Sequence, residues 1–380
     1  MKYCKKCLTT NLRPNSSINS EGICIACEFS EKEDTIVPRL KLKMLEDKIK
    51  KNISKRYKKA AYDCIVGVSG GKDSTRQAHW VRDRLGLRPL LVCAAYPPKQ
   101  MSQIGANNLS NLIEMGFDII VDTPAPQSAA KLALESFKLF GNVSKSTEMS
   151  LFSTVPRLAI DLGISMIFWG ENPALQVGDS AVEGIDEFDG NSLRNLNTLR
   201  EGGIDWIKNA LEHKYLQDHY IYPNILQFER KKIDIIYLGP AWDDWSNDSN
   251  SIYASLQGLH LRPGDEGVTG DLSNASMLDE EFTNINMMLK YYKFGFGRST
   301  DHVNEKIRKK LLTRQEGIKI VEKYDGVCDD SIIRDYCNYV GITQKEFWNI
   351  ANTWVNSKLF EIKEGHRPKR KFEIGKDYVC

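Results

Sequence analysis

The stretch Val66-Gly67-Val68-Ser69-Gly70-Gly71-Lys72-Asp73-Ser74 constrains the fold of this chain more than any other. A short apolar run, Cys64 to Val68, leads into it, and a helix is expected to lead out of it from Ser74 to Leu85. Strand, glycine turn and helix start, in that order, gather backbone N–H groups and the positive end of a helix around one point, as phosphate sites do. Gly70 and Gly71 permit close approach and unusual backbone angles. Lys72 adds a point positive charge, and Ser69 and Ser74 add hydroxyls. This is not a Walker A loop, which has Ser or Thr directly after its lysine. Asp73 stands there instead, and an aspartate can help hold a magnesium ion that bridges phosphates.

The chain after the loop alternates short apolar runs with helix-length segments. Leu90–Ala94, Asp118–Val121 and Ile164–Trp169 read as strands, and Ile235–Gly239 as a late one. Helices are expected over Ile104–Met115, Ala129–Phe140 and Pro156–Leu162. The alternation argues for a mostly parallel sheet covered on both faces. Beyond Asp179 helical and loop segments mix, and from Glu280 onward the chain reads as mainly helical, with elements over Met287–Tyr292 and His302–Leu312. Ahead of the sheet, Leu42, Leu45, Ile49, Ile53 and Tyr57 recur at spacings of three and four, predicting a connecting helix from Leu40 to Tyr62.

Cys4 and Cys7, then Cys24 and Cys27, form two C-x2-C pairs separated by sixteen residues. Each pair suits a tight knuckle, and two knuckles complete a tetrahedral S4 site. The segment has too few apolar residues for a core of its own, so the metal is expected to be structural. Zinc is favoured, and iron remains the chemical alternative because S4 geometry does not separate them. Cys64 and Cys93 fall in buried strands and read as inert core thiols; Cys328 and Cys337 carry no assigned role.

A net charge of +2 on 380 residues implies no committed polyanion partner, so nucleic acid is not expected. The charge is uneven. Residues 38–60 are lysine-rich with only Glu46 and Asp47 opposing, and His366 to Lys371 is a second basic patch. The expected roles are a solvated helix face and a soluble tail. No signal peptide and no membrane-length apolar stretch are read, so a cytoplasmic protein without membrane insertion is expected.

The loop resembles the signature of the PP-loop ATP pyrophosphatases. That resemblance implies a Rossmann-like (adenine nucleotide alpha hydrolase-like) α/β sheet that binds ATP and releases AMP and pyrophosphate. The cysteine module, Ser69 to Ser74, Trp169-Gly170-Glu171-Asn172 and Lys290 through Asp301 together resemble the N-acetyl sugar amidotransferases of the WbpG/PseA-like family. The likeness runs over nearly the whole chain. It implies conversion of a sugar acetamido group to acetamidino in surface polysaccharide or flagellin glycan pathways (pseudaminic- or legionaminic-type sugars among them). ATP and magnesium would serve the reaction, with ammonia from a separate glutaminase. The acceptor would be an acetamido sugar or a nucleotide-activated sugar.

Four regions follow: residues 1–34 a tetracysteine zinc-ribbon-like module, 35–61 a basic connecting helix, 62–275 the ATP pyrophosphatase domain, and 276–380 a helical region contributing to the substrate site. Gly67, Ser69, Gly70, Gly71, Lys72, Asp73, Ser74, Gly170 and Asn172 are expected to bind the nucleotide. Lys72, Asp73, Glu171, Arg298 and Asp301 are expected to carry the chemistry, with Arg298 and Asp301 on a flexible loop that suits an anionic substrate, ordinary helix capping being the alternative role for them. Glu171 and Asn172 follow a strand, where open sheets place ligands, though a turn role fits them too. Roles for Asp179, Asp243, Asp244 and Asp271 stay open. Two rivals share these features. One is an RNA thiolase with the same loop, disfavoured because no CxxC pair follows it. The other is a non-enzymatic zinc-knuckle and nucleotide-binding protein, disfavoured because Lys72 and Asp73 are intact.

Overall fold

Cys64–Val68 (β1), Pro89–Ala94 (β2), Ile119–Asp122 (β3), Met166–Trp169 (β4) and Asp234–Tyr237 (β5) form one parallel sheet in the order β3-β2-β1-β4-β5 in a computed structural model. The structure describes residues 1–32, 38–53, 61–170, 190–191, 199, 204–241, 244–264, 266–363 and 366–379.

The strands alternate faces at a period of two, which splits their side chains between two cores. Cys64, Val66 and Val68 of β1 join Leu91, Cys93, Met166, Phe168 and Ile236 on one face. That face is covered by the helices Pro38–Ile53 (α1), Lys72–His79 (α2) and Gln103–Glu114 (α3), through Leu45, Ile49, Ala78 and Leu112. On the other face Ile65, Leu90, Val92, Ile167 and Ile235 meet Val155, Ala159 and Ile160. Those three come from the helix Lys145–Leu162 (α5), which follows Pro126–Phe140 (α4). The expected sheet with helices on both faces is present. The thiols of Cys64 and Cys93 are buried in it, and burial pushes Cys93 up to about 12.

Three local expectations need correction. Pro156 lies inside α5 rather than at its start, because Met149, Val155, Ala159 and Ile160 bury one face of the helix and hold it through the missing N–H. The connecting helix α1 ends at Ile53 among the described residues, and 54–60 lie outside them. The second basic patch is folded: Lys369–Arg370 pairs antiparallel with Phe360–Glu361. Arg367 there donates to the Cys328 carbonyl at 2.5 Å and pairs with Asp330 at 2.7 Å.

The carboxyl-terminal region is built from Thr283–Phe294 (α6), Arg298–Arg308 (α7), Arg314–Tyr324 (α8), Asp330–Val340 (α9) and Gln344–Trp354 (α10). Its core takes in Ala133 and Phe137 of α4, so it is continuous with the sheet domain. Phe137 lies 5.0 Å from the Phe347 ring, and the Tyr336 hydroxyl donates to the Ala133 carbonyl at 3.2 Å. Among the described residues no helix is long and apolar enough to cross a membrane.

Candidate active site

The Ser69–Ser74 loop leaves the carboxyl end of β1, at the point where the strand order reverses between β1 and β4. Open α/β sheets hold ligands at such points because neighbouring connections run to opposite faces and leave a crevice. The loop closes on itself: the Ser69 N–H donates to Ser74 Oγ at 3.3 Å, and Ser74 Oγ donates to the Gly71 carbonyl at 3.2 Å. Gly70 has φ +79°, and a Cβ there would lie 3.1 Å from the Gly105 carbonyl oxygen of α3. Both facts demand glycine. Gly71 is the extended N-cap of α2, and no side chain caps the helix there, which leaves the helix start without a side-chain acceptor, as at an anion site.

Lys72 and Asp73 open α2. Lys72 Nζ lies 2.6 Å from Asp73 Oδ2, and Asp73 Oδ1 accepts from Asn250 Nδ2 at 2.6 Å. Asn250 in turn accepts from Arg76 at 2.7 Å, and Arg76 donates to Asp244 at 2.7 Å. Asn250 sits on the helix Asn247–Leu256, which packs on α2 and fixes the loop carboxylate from outside. The opposite wall is Asp279. It accepts from Tyr96 Oη at 3.0 Å and from the Ser69 side chain, while burial pushes its carboxyl above the usual range. Gly105 abuts it so closely that a Cβ would lie 2.5 Å from Asp279 Cα.

Arg298 and Asp301 occupy the first turn of α7, not a flexible loop. Gly295, at φ +80°, ends α6 in the left-handed conformation, and Gly297 restarts the chain as the next N-cap. Asp325 then accepts from the Gly297 N–H at 2.8 Å and from Thr300 Oγ1 at 2.6 Å, tying the turn down. The expected helix His302–Leu312 therefore begins four residues early. His302 is buried 3.3 Å from Asp271. Burial, then the Arg298 guanidinium, then Lys72 push its imidazole down to about 3 against the pull of Asp271, so it is neutral near pH 7. The charges of Arg298 and Lys72 both disfavour a proton on this buried ring.

Residues 278–374 match the family model for the C-terminal domain of LPS biosynthesis protein WbpG-like proteins, and Lys290 through Asp301 fall inside the match. Over that stretch the chain is similar to WbpG-like C-terminal domains. No curated protein matches the chain. The matched stretch touches the Ser69–Ser74 loop through Asp279, its second residue, which accepts from the Ser69 side chain.

The same stretch seats the cysteine module. The Sγ atoms of Cys4, Cys7, Cys24 and Cys27 are buried and all lie within 4.8 Å of one another, with Cys7 and Cys24 3.6 Å apart. Four sulfurs at about 2.3 Å from one ion lie about 3.8 Å apart, so the group fits a tetrahedral metal such as zinc. Backbone N–H groups of Thr9 and Cys24 point at Cys7 and Cys4 sulfurs at 3.4 Å, which favours thiolates. The expected metal module is therefore present as a preformed S4 site.

The remaining sequence-derived residues divide clearly. Ser69, Gly70, Gly71, Lys72, Asp73 and Ser74 share the loop. Gly67 lies inside β1, where a Cβ would meet Val155 at 3.2 Å. Gly170 ends β4, and a Cβ would strike Gln77 of α2 at 2.1 Å, so packing alone requires glycine there. Glu171, Asn172, Asp179 and Asp243 lie outside the described residues. Sequence reasoning missed Arg76, Asn250, Tyr96, Asp279 and Arg13. An acidic pair just ahead of a helix, Asp279-Glu280, was a readable capping signal; the others answer to partners far along the chain.

Proposed function

We propose that this chain is an ATP-dependent amidotransferase that converts a sugar acetamido group to acetamidino. The observation that supports the reading is the contact between a PP-type loop and a segment similar to WbpG-like C-terminal domains, through Asp279 on Ser69. The family description links that domain to lipopolysaccharide biosynthesis, which supports a surface-polysaccharide or related glycan substrate.

The proposed reaction balances without a redox step. The acetamido oxygen attacks the α-phosphorus of ATP, and the bond to pyrophosphate breaks. Ammonia adds to the imidate carbon, loses protons to solvent, and AMP departs with the former amide oxygen. Attack on phosphorus asks for positioning and charge stabilisation rather than strong acid–base catalysis. Lys72 and the α2 N-terminus meet the charge growing on pyrophosphate. Asp73 would hold magnesium, with Asn250 orienting its carboxylate. Arg298 and Asp301 face the acceptor from α7. Ammonia comes from solution or a partner glutaminase.

Mass spectrometry of reactions with ATP, magnesium and ammonium tests the reading. The acceptors are UDP-linked N-acetylhexosamine, its acetamido uronic acid and free acetamido nonulosonic acids, with bulk tRNA plus a sulfide source as a parallel arm. One sugar should lose the mass difference between O and NH, with AMP formed in step. AMP formed with sulfur entering tRNA, and no sugar changed, would overturn it.

A further inference from the structure

One side chain of the cysteine module reaches the helix that carries Arg298. Arg13 lies over the Phe296 ring, 4.4 Å from its centroid, and pairs with Asp301 Oδ1. Lys290 of α6 stands 4.8 Å from the same ring and 2.7 Å from Asp301 Oδ2. Both oxygens of Asp301 are thereby fixed, one by the module and one by α6. One turn further along α7, Asn304 grips the module directly: it accepts from the Leu8 N–H at 2.7 Å and donates to Thr9 Oγ1 at 3.1 Å. Thr9 in turn donates its N–H to Cys7 Sγ. A chain of two contacts therefore runs from a metal-ligand sulfur through Thr9 to Asn304 of α7, and Arg314 adds a bond to the Cys7 carbonyl at 3.2 Å.

The place is not a fully closed core. Lys290 keeps 23% of its side chain exposed and Asp301 24%. Even so, burial holds the Lys290 ammonium well below its usual range, and the neighbouring charges of Arg13 and Arg298 hold it lower still. Residues at positions 298, 301 and 302 share one turn, so rotating α7 to satisfy Asp301 also aims Arg298 and His302.

We propose that Arg13 is a positioning residue of the acceptor site, carried there by the metal-bound module and acting through Asp301 on the orientation of Arg298. The cysteine module is then a working part of the acceptor site and not only a staple for residues 1–32. This rests on the reading of Arg298 as an acceptor contact. Lysine at position 13 keeps the charge but not the planar fork that spans Phe296 and Asp301.

The test uses the full-length, zinc-loaded chain and the acetamido sugar that reacts in the panel above, with Arg13→Ala, Arg13→Gln and Arg13→Lys. Zinc content is measured for each. Arg13→Ala and Arg13→Gln should keep their zinc and raise KM for the sugar about tenfold, the loss of one charged hydrogen bond, with KM for ATP unchanged. Calorimetric affinity for the sugar without ATP should fall by the same factor, and Arg13→Lys should recover most of both. Unchanged KM and affinity for the sugar would overturn the proposal, as would equal losses for sugar and ATP accompanied by lost zinc. A wild-type chain that amidinates no sugar would sink both readings. One that does, with an indifferent Arg13→Ala, sinks this inference alone.

Discussion

The Ser69–Ser74 loop and the α7 wall that we propose faces the acceptor are built in opposite ways. The loop is local: Ser69, Gly71 and Ser74 bond one another within six residues, and α2 grows directly from it. The acceptor wall is assembled from distant pieces, Arg13 on Asp301, Leu8 on Asn304 and Asp279 on Ser69, each joining segments hundreds of residues apart. Local geometry can be fixed by a motif and its glycines. The wall depends on packing, metal and ion pairs, so it is where damage to the fold becomes damage to binding.

The largest separation of the two should come from the metal. Cys24→Ser, or a strong chelator, should cost about 5 kcal/mol or more of stability in the module and its seat on α7. Zinc stoichiometry and a two-step thermal melt would show it, with the sheet domain outlasting the module. Lys72→Met probes the other side: kcat should fall about 10²- to 10³-fold with little change in melting temperature. A large drop in both would mean that the loop is less self-contained than its bonds imply.

Gly141 sits at the seam. It ends α4 at φ +58°, and a Cβ would lie 2.4 Å from Trp354 of α10. Gly141→Ala should cost about 2–3 kcal/mol in urea melts, through the strained backbone and the displaced ring. Glu280, at the start of the matched stretch, gives the smallest effect and a pH signature. Burial, then the Asp279 charge, push its carboxyl up to about 8 against an ordinary 4.5. Between those values the unfolded chain has released a proton that the folded chain keeps, so its contribution to stability falls as pH rises through that window. Glu280→Gln keeps acceptors for the Phe282 and Thr283 N–H groups and should gain about 1–2 kcal/mol over the parent near pH 8, and nothing near pH 4. A gain independent of pH would show that the carboxyl does not titrate there.

The contrast also explains what could be read from sequence. The sheet, the loop and the S4 knuckles are legible because each is written in adjacent residues: short apolar runs between helix-length segments, Gly70-Gly71, and two C-x2-C pairs. The start of α7 was misread because two glycines in Phe294 to Gly297 look like a loop, whereas they end one helix and cap the next. Arg13 carried no signal at all. Its meaning lies in Asp301 and Phe296, and no spacing rule links a turn residue in a cysteine module to a helix nearly three hundred positions later.

The central claim is that the acetamido oxygen attacks ATP at the loop, and an isotope decides it. The reacting sugar is prepared with heavy oxygen in its acetamido carbonyl, and AMP, pyrophosphate and phosphate are recovered after turnover with ammonium. The account predicts one heavy oxygen in AMP and none in pyrophosphate. Label found in inorganic phosphate, with ADP as the nucleotide product, would contradict it and reassign the loop to γ-phosphoryl transfer.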